Sequence, residues 1–322
     1  MTMTRRSFFG AGAFSISLGS WGSSRLLTLA LCLGLAASAM AQGQQDDGVV
    51  RVDTDLVVLN VTVTDSAGQY VKGLRRSDFK IFEDGKEIPA SLVASFSLQE
   101  TPFASVVLLD TSGSMESRLS LARSAAIRFL DGLRDEDVAA VFKFDTKVEQ
   151  VQEFSSGRDL APLAYSAKAE GMTTLNDAIV MAASQLAERP EKRKAIVVLS
   201  DGIDTYSKAT SGKALDLALA AGASIYTVDM SATGGSASRN TQSAMVLKNF
   251  AEKSGARFIA TPGGPELRDA FASIAQELGH QYTIAYRPAN RTRDGKWRNI
   301  EVKVSREDLT VRTRKGYRAP KG

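Results

Sequence analysis

Asp110-Thr111-Ser112-Gly113-Ser114-Met115 puts one carboxylate and two hydroxyls at alternate positions, directly after the apolar run Ser105–Leu109. Side chains of these types can cap a helix, attack a substrate as an activated nucleophile, or supply oxygen ligands to a hard cation. Two later stretches carry similar chemistry. Gly171-Met172-Thr173-Thr174 precedes the amphipathic stretch Leu175–Glu188, and Leu199-Ser200-Asp201-Gly202 closes another apolar run. In an open parallel sheet, ligands bind outside the carboxyl ends of the strands, and all three stretches fall on that edge. Together they offer two carboxylates and several hydroxyls, with no nitrogen or sulfur. This set suits Mg²⁺ or Mn²⁺ in octahedral geometry with some waters retained.

Each competing chemistry meets a difficulty. The only histidine is His280 and the only cysteine is Cys32, so a Ser-His-Asp triad would have to use His280, which follows a helical pattern and has no evident serine partner. A phosphatase or phosphotransferase with Asp110 as nucleophile commonly needs a second carboxylate two residues on as general acid, and Ser112 stands there. Capping of a first helix accounts for one serine but not for Thr173 and Asp201. No other group nearby offers a base with a tuned pKa.

Apolar strands and amphipathic helices alternate between Ser105 and Leu278. The pattern predicts strands over 105–110, 137–144, 148–154, 194–200, 223–229 and 257–260, and helices over 117–133, 174–188, 211–221, 241–254 and 265–278. In the first helix Leu119, Ala122, Ala126, Phe129 and Leu133 share one face. Such alternation predicts an α/β fold, a doubly wound, mainly parallel sheet with helices on both faces. The flanks differ. Residues 49–97 and 282–318 read as β, with turn signals at Ser66-Ala67-Gly68, Asp84-Gly85 and Asp294-Gly295. Either set alone leaves an apolar face and edges exposed. The economical arrangement pairs them into one small β-sandwich with the α/β unit inserted.

The N-terminus reads as an address. Thr4-Arg5-Arg6-Ser7-Phe8-Phe9-Gly10 resembles a twin-arginine export signal, Leu26–Leu35 is an apolar core, and Ala39-Met40-Ala41 has the small-x-small form of a cleavage site. Cleavage after Ala41 is expected, by the twin-arginine or the general secretory route, giving a periplasmic or secreted protein with no integral membrane segment. The net charge of +4 includes Arg5, Arg6 and Arg25, and residues 42–322 hold 37 basic and 36 acidic side chains. So balanced a chain gives no ground for nucleic-acid binding, which requires clustered base. Without Cys32 there is no thiol for disulfides, thiolate catalysis or zinc.

The D-x-S-x-S at Asp110, Ser112 and Ser114, with Thr173 and Asp201 downstream, resembles the metal-ion-dependent adhesion site of the von Willebrand factor A domain family. The resemblance covers about 175 residues. It implies that Ser112 and Ser114 bind a divalent cation, that Thr173 binds directly or through water, and that Asp110 and Asp201 act through water or directly. One coordination position is left for an Asp or Glu carboxylate of a protein partner. Thr174 is the alternative to Thr173. Glu116 and Asp204 lie nearby in sequence but are not assigned as ligands. The flanks, "VVLNVTVTDSAGQYVKGLRRSDFKIFEDGK" and "YTIAYRP…DGKWRNIEVKVSREDLTVRTRKGY", are similar to the exported von Willebrand A-related proteins of Acidobacteria. The expected organisation is an export signal over 1–41, a first part of the sandwich over 49–100, the von Willebrand A domain over 101–280, and the second part of the sandwich over 281–319. The expected function is a non-enzymatic, cation-dependent, adhesion-type module, the alternative being a structural component of the envelope with a non-essential metal site. The basic residues of the C-terminal strands read as a solvated face, and Ser231–Asn240 as a small-residue loop on the rim of the site.

Overall fold

The structure, a computed structural model, describes residues 56–97, 101–158, 168–202, 204–231, 237–260 and 265–322. The export signal read over 1–41 and the first residues of the N-terminal flank lie outside the described residues.

The α/β unit is built on a six-stranded sheet. Its strands are β5 (Phe103–Asp110), β6 (Val138–Phe144), β7 (Val148–Ser155), β8 (Arg193–Ser200), β9 (Ala223–Asp229) and β10 (Phe258–Ala260). Strands β1 to β4 precede them in the chain, in the N-terminal flank. The spatial order is β10-β9-β8-β5-β6-β7. All neighbours run parallel except β6 and β7. A central parallel strand must be apolar on both faces, and β5 is buried along its whole length. Phe103, Val107 and Leu109 point into one apolar cluster, while Ala104, Val106 and Leu108 point into the other.

The first cluster lies under α1 (Leu119–Asp131) and α5 (Pro265–Gly279), through Phe129, Phe271 and Ile274. The second lies under α2 (Leu175–Ala187), α3 (Ser211–Ala220) and α4 (Ala237–Ser254), through Ile179, Leu215 and Phe250. The predicted face of the first helix, from Leu119 to Leu133, is buried as expected. Two local differences from the sequence reading stand out. The chain enters α1 through a 3-10 turn at Gly113–Arg118, so the α-helix starts two residues late. Residues 237–240, expected in a loop, are the first turn of α4, and residues 232–236 of that expected loop lie outside the described residues.

The flanks form two four-stranded antiparallel sheets, each combining N- and C-terminal strands. One has the order β13-β1-β11-β4, from β13 (Thr310–Arg312), β1 (Val57–Thr64), β11 (Tyr282–Tyr286) and β4 (Val93–Ser97). The other has the order β14-β12-β2-β3, from β14 (Gly316–Arg318), β12 (Trp297–Val304), β2 (Phe79–Glu83) and β3 (Lys86–Glu87). Leu59, Val61, Ile81, Tyr282, Ile284 and Ile300 share one core between them. This is the predicted sandwich. The β2–β3 hairpin turns at Asp84 and Gly85, with φ of 48° and 78°. Left-handed backbone at both positions is what a tight two-residue hairpin needs, and Asp-Gly supplies it at low cost.

The C-terminal basic residues are not simply a solvated face. Arg298 and Arg314 are buried, Arg312 pairs with Glu277, and Arg318 pairs with Asp216 at 2.7 Å. Among the described residues, no helix is long and apolar enough to cross a membrane.

Candidate functional site

Two properties of the winding place the site. The chain runs from β5 to β6 and β7 on one side, then returns to β8 on the other side of β5. A crevice opens where the winding direction switches, outside the carboxyl ends of β5 and β8. Asp110 ends β5, Ser200 ends β8, and the loop before α2 closes over the same edge.

Asp110 is fully buried. Its Oδ1 accepts the Ser112 N–H at 2.9 Å, and its Oδ2 accepts the Ser200 hydroxyl at 2.5 Å. Burial pushes its carboxyl up to about 6; the bonds from Ser112 and Ser200 oppose that rise, and the charge of Asp201 adds to it. The two carboxylates singled out from sequence therefore lie within electrostatic reach of one another. Desolvation disfavours the ionised form of such a group, and a positive ion nearby would restore it.

The Ser112 and Ser114 hydroxyls stand 3.2 Å apart. Both line a cleft of about 810 Å³ with Gly171, Thr173 and Gly202. Main-chain bonds fix the lips. The Gly113 N–H donates to Gly171 O at 3.3 Å and the Glu170 N–H to Thr111 O at 2.9 Å, tying the first loop to the second. Gly171 takes φ of 79°, and a Cβ there would stand 2.5 Å from the Thr146 hydroxyl. Thr173 faces the cleft, and its carbonyl accepts the Thr205 and Tyr206 N–H groups, both at 3.0 Å. Thr174 turns inward instead, its hydroxyl donating to Asp145 O at 2.8 Å. Asp201 is buried beside Gly202, which lines the cleft.

Asp204 lines the same cleft. Its carboxylate accepts the Asn176 N–H at 2.8 Å and the Ser207 N–H at 3.1 Å, so it also satisfies a free donor of the first turn of α2. His280 stacks on Tyr70 with centroids 5.1 Å apart, at the end of α5. That places it in the flank contacts, and among the described residues no serine is bonded to it. The sequence reading named Ser200 within its stretch but gave it no role; its hydroxyl holds Asp110 and accepts the Gly202 N–H at 3.0 Å. Its place as the last residue of an apolar run was the available signal.

The arrangement offers hydroxyl and carboxylate oxygens on a cleft wall. Among the described residues, no three His, Cys, Asp or Glu side chains converge, so a cation here would depend on serine and threonine oxygens. Neutral hydroxyls leave such an ion's charge poorly balanced, which favours an incoming carboxylate. The donor set fits Mg²⁺ or Mn²⁺. Among the described residues, the cleft lining holds neither histidine nor lysine.

The family model of the von Willebrand factor type A domain matches residues 105–203, the segment that carries all five sequence-selected residues. An uncharacterized protein of Synechocystis sp. is 31% identical over 106 residues, which is 31% of this chain and 25% of that one. The chain therefore spans about a quarter of the length of that curated relative. Among solved structures, a von Willebrand factor type A protein from Catenulispora acidiphila covers 76% of this chain and 73% of its own, at 14% identity and a TM-score of 0.46. The von Willebrand domain of the type V pili tip protein Mfa5 from Porphyromonas gingivalis covers 56% and 95%, at 15% identity and a TM-score of 0.45.

Proposed function

We propose that the α/β unit holds a divalent cation, Mg²⁺ or Mn²⁺, at the carboxyl edge of its sheet and uses it to grip an acidic side chain of a protein partner, outside the cytoplasm. One observation carries this reading. The Ser112 and Ser114 hydroxyls, whose loop Asp110 holds, meet Thr173, 59 or more residues downstream, around one cleft, with Asp201 in electrostatic reach of Asp110. Ser112, Ser114 and Thr173 are the residues that would hold the ion, with Asp110 and Asp201 balancing its charge. When bound, the ion supplies a positive centre that a carboxylate can join. Asp110 fixes the Ser112 loop through its bond to the Ser112 N–H, and Ser200 fixes Asp110. The two bonds pre-orient the serine hydroxyls, so little ordering remains for the binding step.

The geometry favours grip over turnover. The residue two places after Asp110 is Ser112, which cannot serve as the general acid of an aspartyl phosphotransferase. The matched family segment and the cleft agree with an adhesion-type or assembly module. Export rests on the N-terminal sequence pattern.

Capture tests the function. The full chain on a support, exposed to envelope and secreted proteins, should retain a partner with Mg²⁺, release it with chelator and recapture it when Mg²⁺ returns. Ser112→Ala/Ser114→Ala should retain none. Retention indifferent to both chelator and the double substitution would instead favour a structural component.

A further inference from the structure

The amino edge of the large sheet, opposite the cleft described above, holds a second pocket of about 230 Å³. Lys194 near the start of β8 lines it, as do Arg189, Glu191 and Lys192 just before that strand. The sandwich supplies Val58 of β1 and Arg314, which lies between β13 and β14. The length of β8 separates Lys194 from Ser200, roughly 20 Å at about 3.3 Å per residue.

The charges lining this pocket do not balance. Arg189 and Glu191 pair at 2.6 Å and cancel. Among the described residues, no carboxylate is bonded to Lys192, Lys194 or Arg314. Lys192 is exposed and Lys194 half-buried, so neither is sealed from a ligand. Burial lowers the Lys194 ammonium below its usual range, against the pull of Glu191. Arg314 is buried, and its Nη1 donates to Leu219 O at 2.7 Å, in the last turn of α3. Burial pushes its guanidinium down to about 10, opposed by the Tyr286 and Tyr317 hydroxyls, so it stays charged at neutral pH. A buried cation without a bonded carboxylate is costly unless an anion compensates it. From a low-dielectric wall its field acts across several ångströms without direct contact. The carboxyl end of α3 brings roughly half a negative charge, which leaves a surplus of about two and a half positive charges.

We propose that this pocket binds one phosphate group, as the free ion or as the end of a phosphomonoester, with Lys192 and Lys194 in contact and Arg314 supplying charge from the wall. A dianion matches the surplus, whereas a single carboxylate leaves more than half of it uncompensated. A volume of about 230 Å³ takes a phosphate with a short organic stem and is below the size of an ordinary cofactor site. Arg314 belongs to the sandwich and the lysines to the α/β unit, so the bound anion ties the two together.

Calorimetric titration of the full chain tests this, with chelator present so that the cation cleft takes no part. The titrants are inorganic phosphate, glycerol phosphate and acetate, at one ionic strength. At least one phosphate compound should bind at a single site with a Kd below about 1 mM. Binding of glycerol phosphate marks a phosphomonoester ligand, and binding of inorganic phosphate alone marks the free ion. Lys192→Ala/Lys194→Ala should weaken that binding at least about tenfold, as loss of charge-assisted contacts does. Both lysines are at least partly exposed, so this variant keeps its fold. The phosphate compound that binds should also raise the melting temperature of the wild type and leave that of the double variant unchanged. Binding of neither phosphate compound by the wild type, acetate bound as tightly as phosphate, or equal binding by the double variant would overturn the proposal.

Discussion

Asp110 meets two donors, the Ser112 N–H and the Ser200 hydroxyl, one on each of its carboxylate oxygens. Its work is therefore to fix the loop that presents Ser112 and Ser114. Gly202 has a similar supporting role on the opposite lip. It takes φ of 80°, and a Cβ there would stand 2.8 Å from Ser243 O and 2.9 Å from Leu247 Cγ. The left-handed backbone and the crowding act together, so Gly202→Ala should lower stability by about 1–3 kcal/mol and shift the neighbouring Asp201. Urea unfolding measures the first effect, and an unchanged midpoint would contradict it. At this scale the closeness of Asp110, Ser112 and Ser114 was legible in the sequence, because they form one short motif. It gave Ser200 no role, because a hydroxyl that steadies a carboxylate 90 residues away leaves no local pattern.

The loop between β8 and α3 is stitched to α2 by side chains at both ends. Asp204 accepts the Asn176 N–H, and the Asp177 carboxylate accepts the Lys208 and Ala209 N–H groups at 3.0 and 2.9 Å. The start of α2 thus borrows its cap from a distant loop, while no side chain from the residue before the helix caps it. Asp204→Ala should cost about 1 kcal/mol of stability, as loss of a helix N-cap does, and loosen the Thr173 lip. Thermal unfolding with and without Mg²⁺ measures both, and an unchanged melting temperature would contradict the capping role. Strand–helix alternation made the α/β elements legible to within a few residues, since doubly covered strands must be continuous apolar runs. The cap was hidden, because it joins residues 28 apart through a loop whose conformation no local pattern specifies.

The α/β unit and the flanking sandwich meet at a buried polar cluster. Glu277 of α5, 1% exposed, accepts the Tyr226 hydroxyl of β9 at 2.8 Å, pairs with Arg257 at 3.0 Å, and also pairs with Arg312 of β13. The nearby Gln281 donates to Thr62 of β1 at 3.2 Å. Removing Glu277 takes the acceptor from the buried Tyr226 hydroxyl and from two arginines whose side chains are 31% exposed, so Glu277→Ala should destabilise by about 1–3 kcal/mol. Chemical unfolding checks the size, and a loss under about 1 kcal/mol would show that the cluster is not a joint. The interleaving of N- and C-terminal strands was foreseen because each flank alone exposes an apolar face, whereas the buried Arg298 and Arg314 were misread as solvated from their alternating strand positions. For the molecule as a whole, the central claim is that the carboxyl edge of the large sheet holds a divalent cation. Calorimetric titration of Mg²⁺ or Mn²⁺ into the wild-type chain, Asp110→Ala and Ser112→Ala/Ser114→Ala tests it most directly. Wild type should bind one ion, and both variants should lose at least about tenfold in affinity, roughly 1.4 kcal/mol; equal binding by all three proteins would contradict a cation site there.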